Sequence, residues 1–148
     1  QAEVVGDGPA RESLVRRLEV DGVDWISLPG RVTRKQLRDL HWRSHVFVSA
    51  ARLEAFGIAA LEARTAGLAL VVREGTGARD FVSMGLSGLL ADTDDGLAEA
   101  VARLATRPTL LAKLQQHNRR VPPAEDWPIV VKSTVAEYRR AQQQATVR

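Results

Sequence analysis

The sequence predicts an α/β fold in which a parallel sheet is wound with helices on both faces. Two observations carry this expectation. Apolar runs such as Val46-Phe47-Val48 and Leu68-Ala69-Leu70-Val71-Val72 show no polar alternation, as expected of strands buried on both sides. Stretches with apolar residues at helical spacing separate these runs, so strand and helix alternate along the chain.

Ala2-Glu3-Val4-Val5 reads as the first strand, followed by a tight turn at Gly6-Asp7-Gly8-Pro9. A helix is expected over about 10–19, with Leu14, Val15 and Leu18 on one face. Residues 23–28 form a short strand that Pro29-Gly30 ends. Thr33 with Gln36 three positions on makes a capping box, opening a helix that carries Leu37, Leu40 and Trp42. After the strand at 46–48, a loop over 49–54 leads into a helix over about 55–66, which Gly67 stops. The buried strand 68–72 follows, then a turn at Gly75 to Gly77, a short helix over 79–82 and a brief strand over 88–90. Thr93 or Asp94 caps a helix that carries Leu97, Ala98, Val101 and Leu104, and another after Pro108 carries Leu110, Leu111 and Leu114. Pro122-Pro123 marks a linker, and a closing helix occupies 124–148, regular from about 128 and frayed in its polar tail from Ala141.

Composition bounds the function. The 148 residues, 45% of them hydrophobic, suffice for one core, so 1–148 reads as a single domain. Charged residues at 26%, with 11 Gly and 6 Pro, are ordinary values that exclude disordered and collagen-like chains. With no cysteine there is no disulfide framework, thiolate metal site or Cys nucleophile. A net charge of +3 permits anionic ligands without demanding one. The apolar runs are strand-length and no signal-peptide pattern opens the chain, so it reads as a soluble, cytoplasmic protein. Because residue 1 falls inside a strand, the chain reads as a fragment, or as one whose partner strands lie on a segment outside it.

In an open parallel sheet ligands gather at the carboxyl ends of the strands. The loops there are Gly6-Asp7-Gly8-Pro9, residues 49–57, and Glu74-Gly75-Thr76-Gly77. Phe56, Gly57 and Ile58 fall at the start of a helix, where free N–H groups and the helix dipole suit a phosphate. Glu54 stands just before that helix, and Glu62 lies two turns further on among alanines and leucine. On spacing alone both acids read first as surface residues, with Glu62 as an acceptor for ribose hydroxyls the alternative.

Glu54-Ala55-Phe56-Gly57-Ile58-Ala59-Ala60-Leu61-Glu62-Ala63 resembles the E-x7-E signature of group 1 (family 4-like) retaining glycosyltransferases. Gly6-Asp7-Gly8-Pro9 is similar to their G-x-G-P turn, and Leu28-Pro29-Gly30-Arg31-Val32 to their F-x-G-x-V strand. His45-Val46-Phe47-Val48-Ser49, the Gly77 to Val82 segment with Gly88-Leu89-Leu90, and Asp126-Trp127 match further blocks in family order. The family's Pro-Ser ahead of the first Glu is Ser49-Ala50 here, and the Pro of the following strand is Ala69.

The resemblance implies a Rossmann-like domain, the C-terminal, donor-binding half of a two-domain GT-B enzyme. It implies no cofactor, a nucleoside diphosphate sugar as substrate, and an acceptor-binding N-terminal domain outside this chain. It also implies an absent first strand and helix, where the family keeps an Arg and a Lys for the diphosphate. Glu54 would be the catalytic residue near the transferred sugar, hydrogen-bonding its hydroxyls, Glu62 would bind the ribose, and Ala55, Phe56, Gly57 and Ile58 would lie along the diphosphate and sugar. Gly6, Gly8 and Pro9 would form the glycine turn of the donor site, and Arg31 and Val32 would lie against the base. Such a fragment is expected to be inactive alone. Membrane association, where it occurs, would run through the outlying domain.

Other signals are weighed against plainer readings. Asp92-Thr93-Asp94-Asp95 resembles a D-x-D metal site but stands where N-capping is expected. His41 and His45 have zinc-like spacing, but a strand follows His45, so no metal is expected. The pairs Arg16-Arg17, Arg119-Arg120 and Arg139-Arg140 read as solvated surface, with no nucleic-acid partner. Two alternatives stand beside this reading: a homodimer or other oligomerisation module paired through an open sheet edge, and a non-catalytic nucleotide-binding domain.

Overall fold

The chain alternates strand and helix through most of its length in the computed structural model, which describes residues 1–125 and 127–146. In order these are β1 (Ala2–Val5), α1 (Arg11–Val20), β2 (Ile26–Gly30), α2 (Arg34–Arg43), β3 (Val46–Ser49), α3 (Ile58–Thr65) and β4 (Ala69–Arg73). A 3-10 turn (Gly77–Phe81), β5 (Gly88–Ala91), α4 (Asp94–Thr106), α5 (Pro108–Arg120) and α6 (Trp127–Thr146) follow. Every strand pairing described is parallel. The residues gather into two compact units, Gln1–Leu40 and His41–Arg148.

The second unit is built on β4. Ala69, Leu70, Val71 and Val72 have no exposed surface, because β3 and β5 flank the strand and both of its faces are covered. Val46 stands opposite Ala69 on one side, and Leu70 opposite Gly88 on the other. Side chains alternate across a strand, so the even residues Leu70 and Val72 join Ala60, Ala63, Ala78 and Phe81 beneath α3 and the 3-10 turn. The odd residues Ala69 and Val71 join Leu89, Leu97, Ala100, Leu104 and Leu114 beneath α4 and α5. The predicted layering, helices on both faces of a parallel sheet, is therefore present. The inner face of α4 is Leu97, Ala100 and Leu104, whereas Ala98 and Val101, expected inside, are exposed.

At the amino ends of the strands, Asn118 of α5 donates its amide hydrogens to the Leu68 carbonyl (2.6 Å) and the Ser87 carbonyl (2.8 Å). Asn118 is 2% exposed, and this bond pair ties the helix to two strands at once.

In the first unit β1 pairs with β2, and the register slips between Glu3 and Val5. The second strand was expected over 23–28 but runs from Ile26 through Pro29 and Gly30. Its start is displaced because Val23 belongs to the end of α1. The Gly22 N–H donates to the Glu19 carbonyl and the Val23 N–H to the Leu18 carbonyl, with Gly22 at φ 65°. That is a Schellman closure, which takes Val23 out of the strand. Pro29 is tolerated because β2 lies at a sheet edge, where one missing N–H breaks few ladder bonds.

Several local signals hold. The Thr33 N–H donates to Gln36 Oε1 (2.8 Å) and the Gln36 N–H to Thr33 Oγ1 (3.2 Å), closing the capping box ahead of α2. Within α2, however, His41 is buried and Trp42 is 68% exposed, reversing the expected packing. Gly67, at φ 85°, closes α3 by the same Schellman bonds, its own N–H to the Arg64 carbonyl and that of Leu68 to the Ala63 carbonyl. The closing helix continues through Ala141 to Thr146 instead of fraying, since Ala and Gln favour helix strongly. Asp126 of the Asp126-Trp127 block lies outside the described residues. Among the described residues, no helix is long and apolar enough to cross a membrane.

Leu104 is 1% exposed and touches the odd-residue cluster, so truncating it leaves a cavity against β4. Leu104→Ala is expected to cost about 3 kcal/mol, measured as a lowered urea midpoint with an unchanged slope.

Candidate functional site

The loops leaving β3 and β4 at their carboxyl ends are held against one another. The Gly77 N–H donates to the Glu54 carbonyl at 2.9 Å. A Cβ on Gly77 would sit 1.9 Å from the Ala55 carbonyl oxygen, so only glycine permits the two backbones to approach this closely. Gly57 serves the same junction from the other side: it adopts φ 85°, and an added Cβ would meet that of Ala78 at 2.9 Å.

That conformation moves the start of α3. The helix was expected from about Ala55 but begins at Ile58, because Gly57 is left-handed and cannot continue a right-handed helix backwards. Ala55 and Phe56 thus lie in the loop, and the Phe56 ring stacks at a tilt on Phe81, 5.6 Å between centroids.

Glu54 turns its carboxylate back onto its own loop. Glu54 Oε1 accepts the N–H of Phe56 (3.2 Å) and of Gly57 (3.0 Å). Two of the three amides expected to face a ligand are therefore engaged by this acid, whose second oxygen, Oε2, has no bond to either amide. Ile58 is exposed at the first position of α3. Glu62 is also exposed, while its neighbours Ala60, Ala63 and Arg64 are buried. Burial holds the His41 imidazole below its usual pKa, and the nearby Glu62 charge opposes this in part. Arg64 donates to the Phe81 carbonyl (2.8 Å), fastening α3 to the 3-10 turn, and burial lowers its pKa against the Glu125 charge.

Beside this loop lies an ionic chain that the sequence reading missed. Arg52 donates to Asp94 Oδ2 at 2.9 Å, and Arg73, at the end of β4, donates to Asp94 Oδ1 and to the Asp92 carbonyl. Hydrogen bonds from Arg52 and then Arg73 hold the Asp94 carboxyl below the usual range. Asp94 was one of two candidates for the α4 cap; Thr93 takes that place, its Oγ1 accepting the Gly96 N–H (3.0 Å). Among the described residues, no three His, Asp or Glu side chains are grouped to hold a metal ion.

In the first unit the Gly6 turn meets the Gly30 loop: the Gly6 N–H donates to the Gly30 carbonyl at 2.8 Å, with φ 129° at Gly6 and 76° at Gly30. The Gly8 N–H donates to Asp7 Oδ1 (3.0 Å), Pro9 and Arg31 are exposed, and Val32 is half-buried. The predicted residues thus fall into two sets, one in each unit. A groove of about 620 Å³ along α5 and another of about 230 Å³ beside β5 lie apart from both acids.

Residues 1–121 match the family described as Glycosyl transferases group 1. The chain belongs to that family. It is 31% identical over 134 residues to D-inositol 3-phosphate glycosyltransferase of Kribbella flavida, covering 89% of this chain and 31% of that protein. It is 24% identical over 119 residues to 2-deoxystreptamine N-acetyl-D-glucosaminyltransferase of Niallia circulans, covering 78% and 31%. The chain thus spans about a third of the length of these relatives. Its fold is that of Anabaena HepE, whose crystal structure holds UDP-glucose, with a TM-score of 0.78 at 18% identity over 95% of this chain and 41% of that one. It is likewise that of sucrose-phosphate synthase from Thermosynechococcus elongatus, with a TM-score of 0.78 at 21% identity over 96% and 38%.

Gly77→Ala is expected to cost about 2–3 kcal/mol in a urea melt, since neither backbone can yield to the new carbon. Gly75→Ala, where the added carbon meets nothing within 4 Å, should stay within about 0.5 kcal/mol of the parent.

Proposed function

We propose that this chain is the donor-binding part of a retaining group 1 glycosyltransferase and takes a nucleoside diphosphate sugar. The observation that supports this most is Glu54, a carboxylate tethered through one oxygen at a glycine-built junction on the carboxyl edge of a parallel sheet. Its other oxygen is offered to a hydroxyl of the transferred sugar. Glu62 accepts the ribose hydroxyls. Ala55, Phe56 and Gly57 line the donor, and the Ile58 amide at the amino end of α3, which Glu54 does not engage, stabilises the diphosphate as it leaves and gathers charge. In the first unit, the same reading assigns the Gly6-Gly8-Pro9 turn to the donor and Arg31 and Val32 to the base. No cofactor or metal enters the reaction. Residues 1–148 bind donor without transferring sugar, because the acceptor is held by parts of the protein outside them; a cytoplasmic location belongs to the same proposal.

Titration with UDP-glucose, UDP, GDP and ADP tests the reading. At least one nucleotide should bind, and Glu62→Ala should weaken it about 10- to 100-fold, the loss of charge-assisted hydrogen bonds. If no nucleotide binds while circular dichroism reports an intact fold, the donor-site reading is wrong.

A second reading, self-assembly, is favoured by β3, which among the described residues has a strand neighbour on one side only and leaves Val48 46% exposed. Light scattering should then give a mass that rises with concentration towards twice 16.2 kDa; a constant monomer mass rejects it.

A further inference from the structure

We propose that Arg52 is a positioning residue for Glu54: anchored on Asp94, which Arg73 holds from the end of β4, it fixes the path of the loop that aims the Glu54 carboxylate. The loop from Ala50 to Phe56 buries no apolar side chain completely, and Leu53 within it is 96% exposed. The ring contact of Phe56 on Phe81 lies at the far end of the loop, so around Arg52 and Glu54 its course is left to polar ties. Those ties are the Gly77 N–H on the Glu54 carbonyl, the Phe56 and Gly57 amides on Glu54 Oε1, and the Arg52–Asp94 pair two residues upstream.

An isolated exposed ion pair contributes little, because two long side chains must be ordered to form it. Here the far end is ordered beforehand. The Arg73 side chain is 10% exposed, bonded to the Asp92 carbonyl and to Asp94, and Asp94 stands in the first turn of a helix that Thr93 caps. Only Arg52 remains to be ordered when the tie forms. The guanidinium also matters by shape, since its fork reaches a carboxylate oxygen along a defined direction that a lysine ammonium does not impose.

Amide hydrogen exchange on the 148-residue chain, followed by NMR, tests this without any ligand. In Arg52→Gln and in Asp94→Asn, the protection factors of Phe56, Gly57 and Gly77 should fall tenfold or more, while those of Leu70, Val71 and Val72 stay at the parent values. Arg52→Lys should restore part of the protection. Acid should act like Asp94→Asn. The Asp94 carboxyl is held low in the folded chain, so the tie is complete above the ordinary carboxylate range and is lost as pH falls through the lowered value. At Gly77, whose N–H is held by a backbone carbonyl, the Asp94→Asn chain should lack that step, whereas Phe56 and Gly57 also depend on the Glu54 carboxylate that accepts their amides.

One further measurement rests on the donor-site reading. Arg52→Gln should narrow the difference in affinity between UDP-glucose and UDP while leaving UDP binding unchanged. Failure of the parent chain to bind UDP-glucose would count against that reading alone, and the exchange data would still decide on Arg52. Unchanged protection at Phe56, Gly57 and Gly77 in Arg52→Gln overturns the proposal. So does a loss that spreads to β4, since it would mark general unfolding.

Discussion

Water reaches neither face of β4 between Ala69 and Val72, and the arrangement of the second unit follows from that burial. A strand of this kind needs a bonded neighbour on each edge and an apolar layer on each face, because its own amides and side chains have nowhere else to go. β3 and β5 supply the edges, and α3 with the 3-10 turn and α4 with α5 supply the faces. Since the three strands are parallel, the loops leaving β3 and β4 emerge at the same rim. Glu54 and Gly77 meet there for that reason, although they are far apart in the sequence.

The rim is economical in its materials. Glycine at 77 removes the one carbon that would hold the loops apart, and left-handed glycine at 57 turns the chain into α3. The amides freed at that turn are taken up by Glu54, so the acid is oriented by the backbone it precedes. A carboxylate fixed at one oxygen has lost most of its rotational choices before any ligand arrives, and pre-organised acceptors of this sort lose little freedom on binding. Membership in the group 1 glycosyltransferases accords with this construction, and the fold shared with HepE and sucrose-phosphate synthase is reached at about one identical residue in five.

What the sequence disclosed was local. The apolar run of β4, the Thr33 and Gln36 capping box and the Gly67 stop are each written in neighbouring residues, and each appears where expected. The errors arise where a remote or competing partner decides. Val23 looks like strand until the Schellman closure at Gly22 claims it. Ala55 to Gly57 look helical until Gly57 is seen to pack against Ala78. Gly77 could be read as a turn glycine, but what requires it is the Ala55 carbonyl from another loop. Arg52, Arg73 and Asp94 belong to three separate segments, and spacing along the chain carries no sign that they converge. An arginine ending an otherwise apolar strand was the one available clue, since a buried guanidinium must have acceptors within reach.

The opposite rim is fastened by different chemistry. Asn118 spends both hydrogens of a single neutral amide on the Leu68 and Ser87 carbonyls, out of contact with solvent. An aspartate there would bring two acceptors to face two acceptors, and a leucine would strip the Leu68 carbonyl of this bond and leave Ser87's with the Leu70 N–H. Nothing in that fastening carries charge, so dissolved ions have little purchase on it, whereas the Arg52–Asp94 link stands in water and weakens as the Debye length shrinks. Ionic strength therefore works as a one-sided dial: it slackens the rim where Glu54 sits and leaves the floor of the sheet as rigid as before.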